Sequence, residues 1–261
     1  MDDEPRDLWN SIAEDYTNLI ANRGTPHHRD ILNPCVSQLL GDVKGKKLLD
    51  AGCGEGYLAR HYAQKGAVVT GLDISSILVE KADGISKKAG IDVSFQIGDI
   101  CNLNDIGNSS FDLVLCNLVL LNIPCFTEAL MEFDRILNDD GILVFSIVHP
   151  AFNFYGPGKW EMGEKNPKSH RQEGLFFKVD NYFNEREFQH YWRTREGVKF
   201  AKPIIFYHRT LSSYFEGIHN AGFRLVSFKE PLPVTDSEFF QRERRIPFFA
   251  VFKVKKSSCK D

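Results

Sequence analysis

Three glycines follow an apolar run that predicts a β-strand, and their spacing suits a nucleotide-like cofactor. The stretch LLDAGCGEGY at 48–57 places Gly52, Gly54 and Gly56 directly after this strand. Because glycine has no Cβ, it permits a tight turn and lets backbone groups approach a ligand closely. Two chemistries use such a turn: hydride transfer with a dinucleotide, and methyl transfer with S-adenosylmethionine.

The spacing of the glycines argues against a dinucleotide. The dinucleotide fingerprint is G-x-G-x-x-G, whose third glycine lets the following helix pack closely behind the pyrophosphate. Here the pattern is G-x-G-x-G, and Tyr57 stands where the third dinucleotide glycine would be. A bulky aromatic side chain at that position fits a pyrophosphate turn poorly.

Further polar residues that could bind a ligand also lie directly after predicted strands. Asp73 ends the second apolar run, Asp99 follows the third and Asn117 ends the fourth. In an open parallel sheet, ligands bind beyond the carboxyl ends of the strands, near the point where strand order reverses. We therefore expect these side chains and the glycine turn to share one site.

The elements that must position these residues alternate regularly between residues 46 and 150. Apolar runs at 46–52, 67–73, 91–99, 111–117 and 141–148 predict strands, and the stretches 57–66, 74–90 and 126–141 predict helices. Strands that alternate with helices of this length predict βαβ units and a parallel sheet. The predicted fold class is α/β, with a doubly wound, mostly parallel sheet.

The pattern divides the chain into four segments. Residues 1–45 are expected to form an N-terminal helical lid, since Trp9, Ile12 and Tyr16 recur at helical spacing. Residues 46–150 form the α/β core, and residues 151–206 form a cap inserted after the fifth strand. Residues 207–261 return to the core as a helix and two closing strands.

Four motifs in this order resemble the class I S-adenosylmethionine-dependent methyltransferases. The run DAGCGEG at 50–56 is close to the family's D-x-G-C-G-x-G, an acidic residue ends the second strand, 98–100 reads G-D-x, and 111–123 matches the fourth strand and its loop. The resemblance covers roughly residues 46–148 and implies a Rossmann-like fold, with S-adenosylmethionine as cofactor and S-adenosylhomocysteine as product. The cofactor-binding residues that it implies are Tyr16, Asp50, Gly52, Cys53, Gly54, Asp73, Ile74, Asp99, Ile100, Asn117 and Leu118.

The resemblance also implies a role for each part of this set. Asp73 is expected to accept hydrogen bonds from both ribose hydroxyls, and Asp99 from the adenine amino group, with Ile100 packed on the ring. Backbone groups near Asn117 and Leu118 are expected to hold the methionyl amine.

The carboxylate of the cofactor is an anion and needs donors or a cation. Tyr16, in the predicted lid helix, is the first candidate to reach it, and a helix that simply packs its apolar stripe on the core is the alternative. Further candidates for this contact are Arg23, His28 and Arg29.

Candidate residues for methyl transfer lie outside the cofactor motifs. His149 follows the fifth strand, so we expect it to point into the cleft, as a general base or an acceptor-orienting donor; a histidine hydrogen-bonded at the strand end is the alternative. The segments YHRTL at 207–211 and EPLP at 230–233 resemble a group of type 11 small-molecule methyltransferases. Tyr207 and His208 are further catalytic candidates, whereas Arg209 is expected to pair with Glu230.

The cap segment predicts a hairpin around Glu196 and Gly197, and it is rich in aromatic residues. Such a lining suits a pocket for a small organic acceptor, with a hydrophobic mini-core as the alternative. The aromatic residues concerned are Phe152, Phe154, Tyr155, Trp160, Phe176, Phe177, Tyr182, Phe183, Tyr191 and Trp192.

The composition argues against nucleic acid, a membrane and a metal ion as partners. A formal net charge of -3 gives no general attraction to nucleic acid or to an anionic membrane, and no apolar run is long enough to span a bilayer. Six scattered cysteines without a C-x-x-C pair argue against a zinc site and against a disulfide framework, so we expect no metal. Because residues 1–20 are acidic and polar rather than a secretory signal, we expect a cytoplasmic location.

We therefore expect a methyltransferase that moves a methyl group to a small organic acceptor by in-line displacement. Three alternatives stay open: a macromolecular acceptor (RNA or protein), a protein that binds S-adenosylmethionine without catalysis, and a dinucleotide-dependent dehydrogenase. The sequence gives no indication of oligomeric state.

Overall fold

The computed structural model describes residues 4–153, 155–165, 167 and 172–257. Phe154 of the predicted cap and Cys259 lie outside the described residues. At the centre is a seven-stranded sheet. Its parallel strands are β1 (Lys47–Ala51), β2 (Val68–Asp73), β3 (Ser94–Ile97), β4 (Phe111–Asn117) and β5 (Leu137–Val148).

The strand order of the sheet reverses between β1 and β4. Adding β10 (Phe223–Lys229) and β11 (Phe249–Lys256), which run antiparallel, gives the order β10-β11-β5-β4-β1-β2-β3. β1 pairs in parallel with β2 on one side and with β4 on the other. The predicted doubly wound α/β fold is confirmed, and its ligand-binding edge lies at the carboxyl ends of β1 and β4.

Helices cover the sheet because its central strands are apolar on both faces, as is usual in parallel sheets. Leu48 and Leu49 of β1 are fully buried, as are Val114 and Leu115 of β4. The α-helices among the described residues are α1 (Glu4–Ile20), α2 (Asn33–Leu40), α3 (Tyr57–Gln64), α4 (Ser76–Ala89), α5 (Phe126–Ile136) and α6 (Leu211–Asn220).

Two boundaries differ from the sequence prediction. The third strand is limited to Ser94–Ile97, because it lies at the edge of the sheet and pairs only with Thr70–Asp73. The helix expected over 126–141 ends at Ile136, and β5 already begins at Leu137, which pairs with Phe111. Pairing with β4 therefore overrides the helical pattern of these residues.

The segment after β5 forms two small antiparallel sheets. One consists of β6 (Gly158–Lys165) and β7 (Gln172–Val179), and the other of β8 (Arg186–His190) and β9 (Ile204–His208). The β8–β9 hairpin closes through a turn in which the Thr194 amide donates to the Val198 carbonyl at 2.7 Å and Gly197 has φ +85°. This is the hairpin predicted around Glu196 and Gly197.

Helix α1 lies beside the ligand-binding edge of the sheet. Its Asn10 side chain accepts a hydrogen bond of 2.7 Å from the hydroxyl of Ser75, the residue that caps the N-terminus of α4. On its inner face Ile12 is fully buried. Among the described residues, no helix is long and apolar enough to cross a membrane.

Candidate functional site

The glycine turn after β1 is held between two other segments of the chain. Gly52 and Gly54 have φ values of +75° and +56°, in the region that favours glycine. A Cβ at Gly52 would overlap the side chain of Val119, and a Cβ at Gly54 would lie 2.9 Å from the ring of Tyr16. The turn therefore requires glycine for its conformation and for its close packing.

Asp73, at the end of β2, is hydrogen-bonded to the glycine turn. One carboxylate oxygen accepts from the Gly54 amide at 2.8 Å, and the other accepts from the Ser75 amide at 2.9 Å. Burial raises the pKa of Asp73, although these backbone hydrogen bonds oppose that effect. Each carboxylate oxygen keeps a second lone pair, so Asp73 can accept further hydrogen bonds from a ligand hydroxyl.

Asp50, at the end of β1, carries a carboxylate oxygen without a partner among the described residues. The side chain is 2 % exposed, and its Oδ2 is buried with no hydrogen bond. Burial, with repulsion from Asp73 as the next cause, raises the pKa of Asp50 to about 7. Because buried polar groups normally find a partner, this oxygen marks a place for a donor or a cation supplied by a ligand.

Asp99 and Ile100 form the wall after β3. The Cys101 amide donates to Asp99 Oδ1 at 2.9 Å, and this bond fixes the carboxylate in the loop. Ile100 is buried at 5 % exposure. An acceptor next to an apolar side chain suits a flat ring that carries an amino group.

A disulfide joins this loop to the start of α5. Cys101 and Cys125 are bonded, with their Cα atoms 6.0 Å apart. The scattered cysteines argued against a disulfide framework and gave no signal for this single bond. The two residues meet because β3 and β4 both deliver their following loops to the same edge of the sheet.

The turn after β4 contains a leucine in an unusual conformation. Leu118 has φ +59°, which is rare for a residue with a Cβ and costs about 1–3 kcal/mol. Its amide donates to the Ser146 carbonyl at 3.1 Å, and the Ser146 hydroxyl donates to Asn117 Oδ1 at 2.7 Å. These hydrogen bonds to β5 fix the turn after β4, which lines the same cavity as the glycine turn after β1.

These groups line one cavity of about 1370 Å³. Its volume exceeds the roughly 300–1,000 Å³ that is typical of a pocket for one drug-sized ligand, so it can hold two ligands side by side. Every residue that the resemblance assigned to the cofactor lies on its wall: Tyr16, Asp50, Gly52, Cys53, Gly54, Asp73, Ile74, Asp99, Ile100, Asn117 and Leu118.

The N-terminal candidates separate into two groups. Tyr16 and His28 line the cavity, and the ring of Tyr16 packs edge-on against Trp9 with centroids 5.8 Å apart. The Thr25 amide donates to His28 Nδ1 at 3.2 Å, and burial lowers the pKa of His28 to about 4. His28 is therefore neutral at pH 7, with its proton on Nε2. Arg23 and Arg29 are not on the cavity wall, and Arg29 donates to the Gly24 carbonyl.

Of the catalytic candidates, only Tyr207 lies on the cavity wall. His149 does not point into the cleft: its Nδ1 accepts from the Ala151 amide and its Nε2 lies 2.9 Å from Glu230 Oε1. Burial lowers the pKa of His149. These contacts correspond to the alternative of a strand-end histidine held by hydrogen bonds.

His208 also faces away from the cavity. Its Nε2 donates to the Tyr182 carbonyl at 2.7 Å, and the side chain is buried. Successive residues of a strand point to opposite faces, so Tyr207 and His208 cannot both face the cavity. We therefore assign no catalytic role to His149 or His208.

The expected pair of Arg209 and Glu230 is absent, since Glu230 is the partner of His149. Arg209 instead donates to three backbone carbonyls in the segment between β4 and α5: Leu120 at 3.2 Å, Ile123 at 2.7 Å and Pro124 at 2.9 Å. It thus fixes the loop that ends at the disulfide.

Several cavity residues were not found from the sequence. Glu187 and Gln189 alternate along β8, and this period of two was a usable signal for one inward face. His27, Phe248 and Phe249 also line the cavity, but they come from opposite ends of the chain, so no local pattern connects them.

Comparison with known proteins shows the family to which the chain belongs. Residues 42–176 match the family described as a methyltransferase domain. The chain belongs to this methyltransferase family. The predicted resemblance to the class I S-adenosylmethionine-dependent methyltransferases is thereby confirmed, and the chain is an enzyme of that class.

Individual proteins of known sequence are also similar to this chain. The chain is 30% identical over 236 residues to an uncharacterised protein of Haemophilus influenzae, covering 87% of this chain and 88% of that protein. It is 28% identical over 158 residues to a ubiquinone biosynthesis O-methyltransferase of Coxiella burnetii, covering 59% of this chain and 66% of that enzyme.

Among solved structures, a candidate S-adenosylmethionine-dependent methyltransferase of Listeria monocytogenes is 27% identical, with a TM-score of 0.71. The match covers 86% of this chain and 96% of that structure. A methyltransferase structure from Mesorhizobium loti, 23% identical with a TM-score of 0.69, shares the fold.

Proposed function

We propose that this methyltransferase transfers a methyl group from S-adenosylmethionine to a small aromatic acceptor bound in the same cavity. The observation that carries the proposal is the cavity itself, which runs from the glycine turn to aromatic walls of the cap. One end offers the polar groups that S-adenosylmethionine requires, and the other offers flat apolar surfaces.

The polar end fits the cofactor in three places. The unpaired Asp50 Oδ2 suits the ammonium group of the methionyl end, because a buried carboxylate oxygen needs a donor or a cation. Asp73 suits the ribose hydroxyls because its carboxylate keeps free lone pairs, and Asp99 beside Ile100 suits the amino group and ring of adenine. His28, neutral with a donor at Nε2, and Tyr16 suit the carboxylate.

The other end of the cavity belongs to the cap and to β11. Tyr155 packs against Phe206 with ring centroids 5.2 Å apart, and the ring of Tyr16 stacks on Trp192 at 6.4 Å. Tyr155, Trp192 and Tyr207 all line the cavity. Flat aromatic walls favour an aromatic acceptor, since offset stacking adds about 0.5–1.5 kcal/mol beyond burial.

When bound, S-adenosylmethionine supplies an electrophilic methyl group on a sulfonium sulfur. The main task of the protein is to align the acceptor with this methyl group and to exclude water. Tyr16 connects the two ends, because it packs over Gly54 on the cofactor side and against Trp192 on the cap side. Helix α1 and the cap therefore close over the same ligands.

An acceptor screen tests the proposal. Purified protein is incubated with S-adenosylmethionine and single acceptors from sets of phenols, aromatic amines, aliphatic amines, RNA and protein, and S-adenosylhomocysteine release is measured. We expect release with an aromatic small molecule. Release with RNA or protein alone, or with none of the sets, would contradict the proposed acceptor class.

A pair of variants examines the acceptor wall. Tyr155→Ala is expected to raise the KM for an aromatic acceptor while leaving cofactor affinity unchanged, because Tyr155 lies at the cap end. Phe183→Ala is the matched control, since Phe183 is 88 % exposed and is not on the cavity wall.

The cytoplasmic location expected from the sequence is part of the same proposal, and cell fractionation would test it.

A further inference from the structure

A histidine–carboxylate pair lies at the acceptor end of the cavity. The Nε2 atom of His27 is 2.8 Å from Oε1 of Glu243, and the two residues are 216 positions apart. We propose that His27 is the general base that takes the proton from an aromatic hydroxyl of the acceptor, with Glu243 as its positioning residue. This inference rests on the proposed function.

The pair is located where an acceptor is expected. His27, Phe248 and Phe249 line the cavity, and Phe249 of β11 pairs with Val148 at the carboxyl end of β5. The groups assigned to the cofactor follow β1 to β4, so β5 and β11 form the opposite half of the cavity floor. His27 therefore lies on the side of the acceptor rather than on that of the ribose.

Aromatic side chains fix the orientation of the imidazole. The ring of His27 stacks on Phe248 with an interplanar angle of 7° and centroids 5.7 Å apart. Phe239, Phe240 and Phe249 surround it in edge-on contacts at 5.5, 5.6 and 6.4 Å. A planar phenol can extend this stack, and we therefore propose an aromatic hydroxyl as the proton donor to His27.

Glu243 directs the proton of His27 to one ring nitrogen. Burial is the largest single influence and would raise the pKa of Glu243, but the hydrogen bond with His27, a backbone hydrogen bond and the attraction of His27 and Arg242 together outweigh it, so the pKa is lowered. An ionised carboxylate accepts only, so Nε2 carries the hydrogen and Nδ1 carries the lone pair. The second oxygen, Oε2, is buried with no hydrogen-bond partner among the described residues, so His27 is the side chain to which this carboxylate is hydrogen-bonded.

Nδ1 is thus the basic nitrogen. Within the described part of the chain no hydrogen bond reaches His27 Nδ1, whereas Nδ1 of the neighbouring His28 accepts from Thr25. This difference distinguishes the two adjacent histidines: His28 presents a donor, and His27 presents a base.

An oxygen lone pair of the acceptor forms a bond to the methyl carbon, and the bond from that carbon to sulfur breaks with its electrons staying on sulfur. The hydroxyl proton moves to His27 Nδ1, and the resulting imidazolium is stabilised by Glu243. The products are the methyl ether and S-adenosylhomocysteine, and the proton later passes to solvent.

A chromophoric phenol tests this assignment without turnover. Protein saturated with S-adenosylhomocysteine is titrated with 4-nitrophenol, whose anion absorbs visible light, at a pH where the free probe is mostly protonated. We expect the bound probe to be ionised several-fold more than the free probe in the wild type. In His27→Gln and in Glu243→Gln the bound probe should be ionised no more than the free probe.

Controls separate this inference from the proposed function. Calorimetry with S-adenosylhomocysteine on the same samples shows whether each variant is folded and whether the cofactor site exists at all. His219→Gln, on the exposed face of α6, should behave as the wild type. Cofactor binding without any binding of 4-nitrophenol, or equal ionisation of the probe in wild type and His27→Gln, would overturn the role of His27. If folded wild-type protein does not bind S-adenosylhomocysteine, the proposed function itself is overturned.

Discussion

The carboxylate of Asp73 accepts a hydrogen bond of 2.8 Å from the amide of Gly54. The acidic residue at the end of β2 thus holds the glycine turn that follows β1. A ligand that binds the free lone pairs of Asp73 also meets the turn in its fixed shape. The two motifs therefore act as one unit, and a change in either should affect the binding of the cofactor.

Replacement of Asp73 should weaken the binding of S-adenosylmethionine. Asp73→Ala removes the proposed acceptor for two ribose hydroxyls and the observed partner of the Gly54 amide. Since a hydrogen bond to a charged group contributes about 1.5–3 kcal/mol, we expect affinity to fall by at least about a hundredfold. Calorimetric titration measures this loss. Asp83→Ala on α4, which removes an exposed pair with Lys87, is the control, and equal affinities in both variants would contradict the assignment.

Substitution of Gly52 should disrupt both the fold and the site. Gly52→Ala adds a Cβ at φ +75° that overlaps Val119. Gly90→Ala is matched in conformation, at φ +64°, but its Cβ would meet open space. We expect Gly90→Ala to cost about 1 kcal/mol of unfolding free energy, and Gly52→Ala to cost more and to abolish cofactor binding. Similar urea midpoints for the two variants would show that the contact with Val119 is unimportant.

The pH dependence of stability should reflect Asp50. Its pKa is raised to about 7 in the folded protein, so the folded state holds a proton that the unfolded chain has already lost. The stability that this proton contributes is complete at acidic pH and is lost as the pH rises through about 7. Asp73, with a pKa raised in the same direction, adds to the effect.

Asp50→Asn removes the ionisable group, so comparison with the wild type measures the contribution of Asp50 to the pH dependence of stability. We expect the unfolding free energy of the ligand-free wild type to fall between mildly acidic and neutral pH, and to fall less steeply in Asp50→Asn. Saturating S-adenosylmethionine should flatten the wild-type curve, because its ammonium group would pair with the ionised carboxylate. Identical pH profiles for wild type and Asp50→Asn would exclude Asp50 as the source.

Removal of the disulfide should destabilise the protein. Cys101 and Cys125 are 24 residues apart, and closing a loop of this length contributes about 3 kcal/mol. The double variant Cys101→Ser with Cys125→Ser should therefore unfold at lower urea concentration than the oxidised wild type. A reducing agent should lower the wild-type midpoint and leave that of the double variant unchanged; no response of the wild type would indicate that the bond does not form in solution.

Much of the fold and of the cofactor end could be predicted because its signals are local. Each βα unit has its own apolar run, turn and cap, such as Ser75 at the start of α4. Motifs directly after parallel strands must meet at one edge of the sheet. The position of Asp73 next to Gly54 follows from the register of β1 and β2 together with the glycine turn after β1.

The acceptor end could not be predicted in the same way, because its contacts join distant parts of the chain. His27 meets Glu243 across 216 positions, and Cys101 meets Cys125 only through the packing of two loops. His149 was at a strand end as expected, but the direction of its side chain depended on Glu230, beyond the cap. Position along a strand does not fix the partner of a side chain.

Calorimetric titration with S-adenosylmethionine, S-adenosylhomocysteine and NADH in parallel tests the central claim most directly. We expect that S-adenosylmethionine and S-adenosylhomocysteine each bind one site per chain, that they compete with each other, and that NADH does not bind. Binding of NADH, or no binding of either sulfur ligand to folded protein, would contradict the assignment of Asp50, Gly52 and Asp73 to the cofactor.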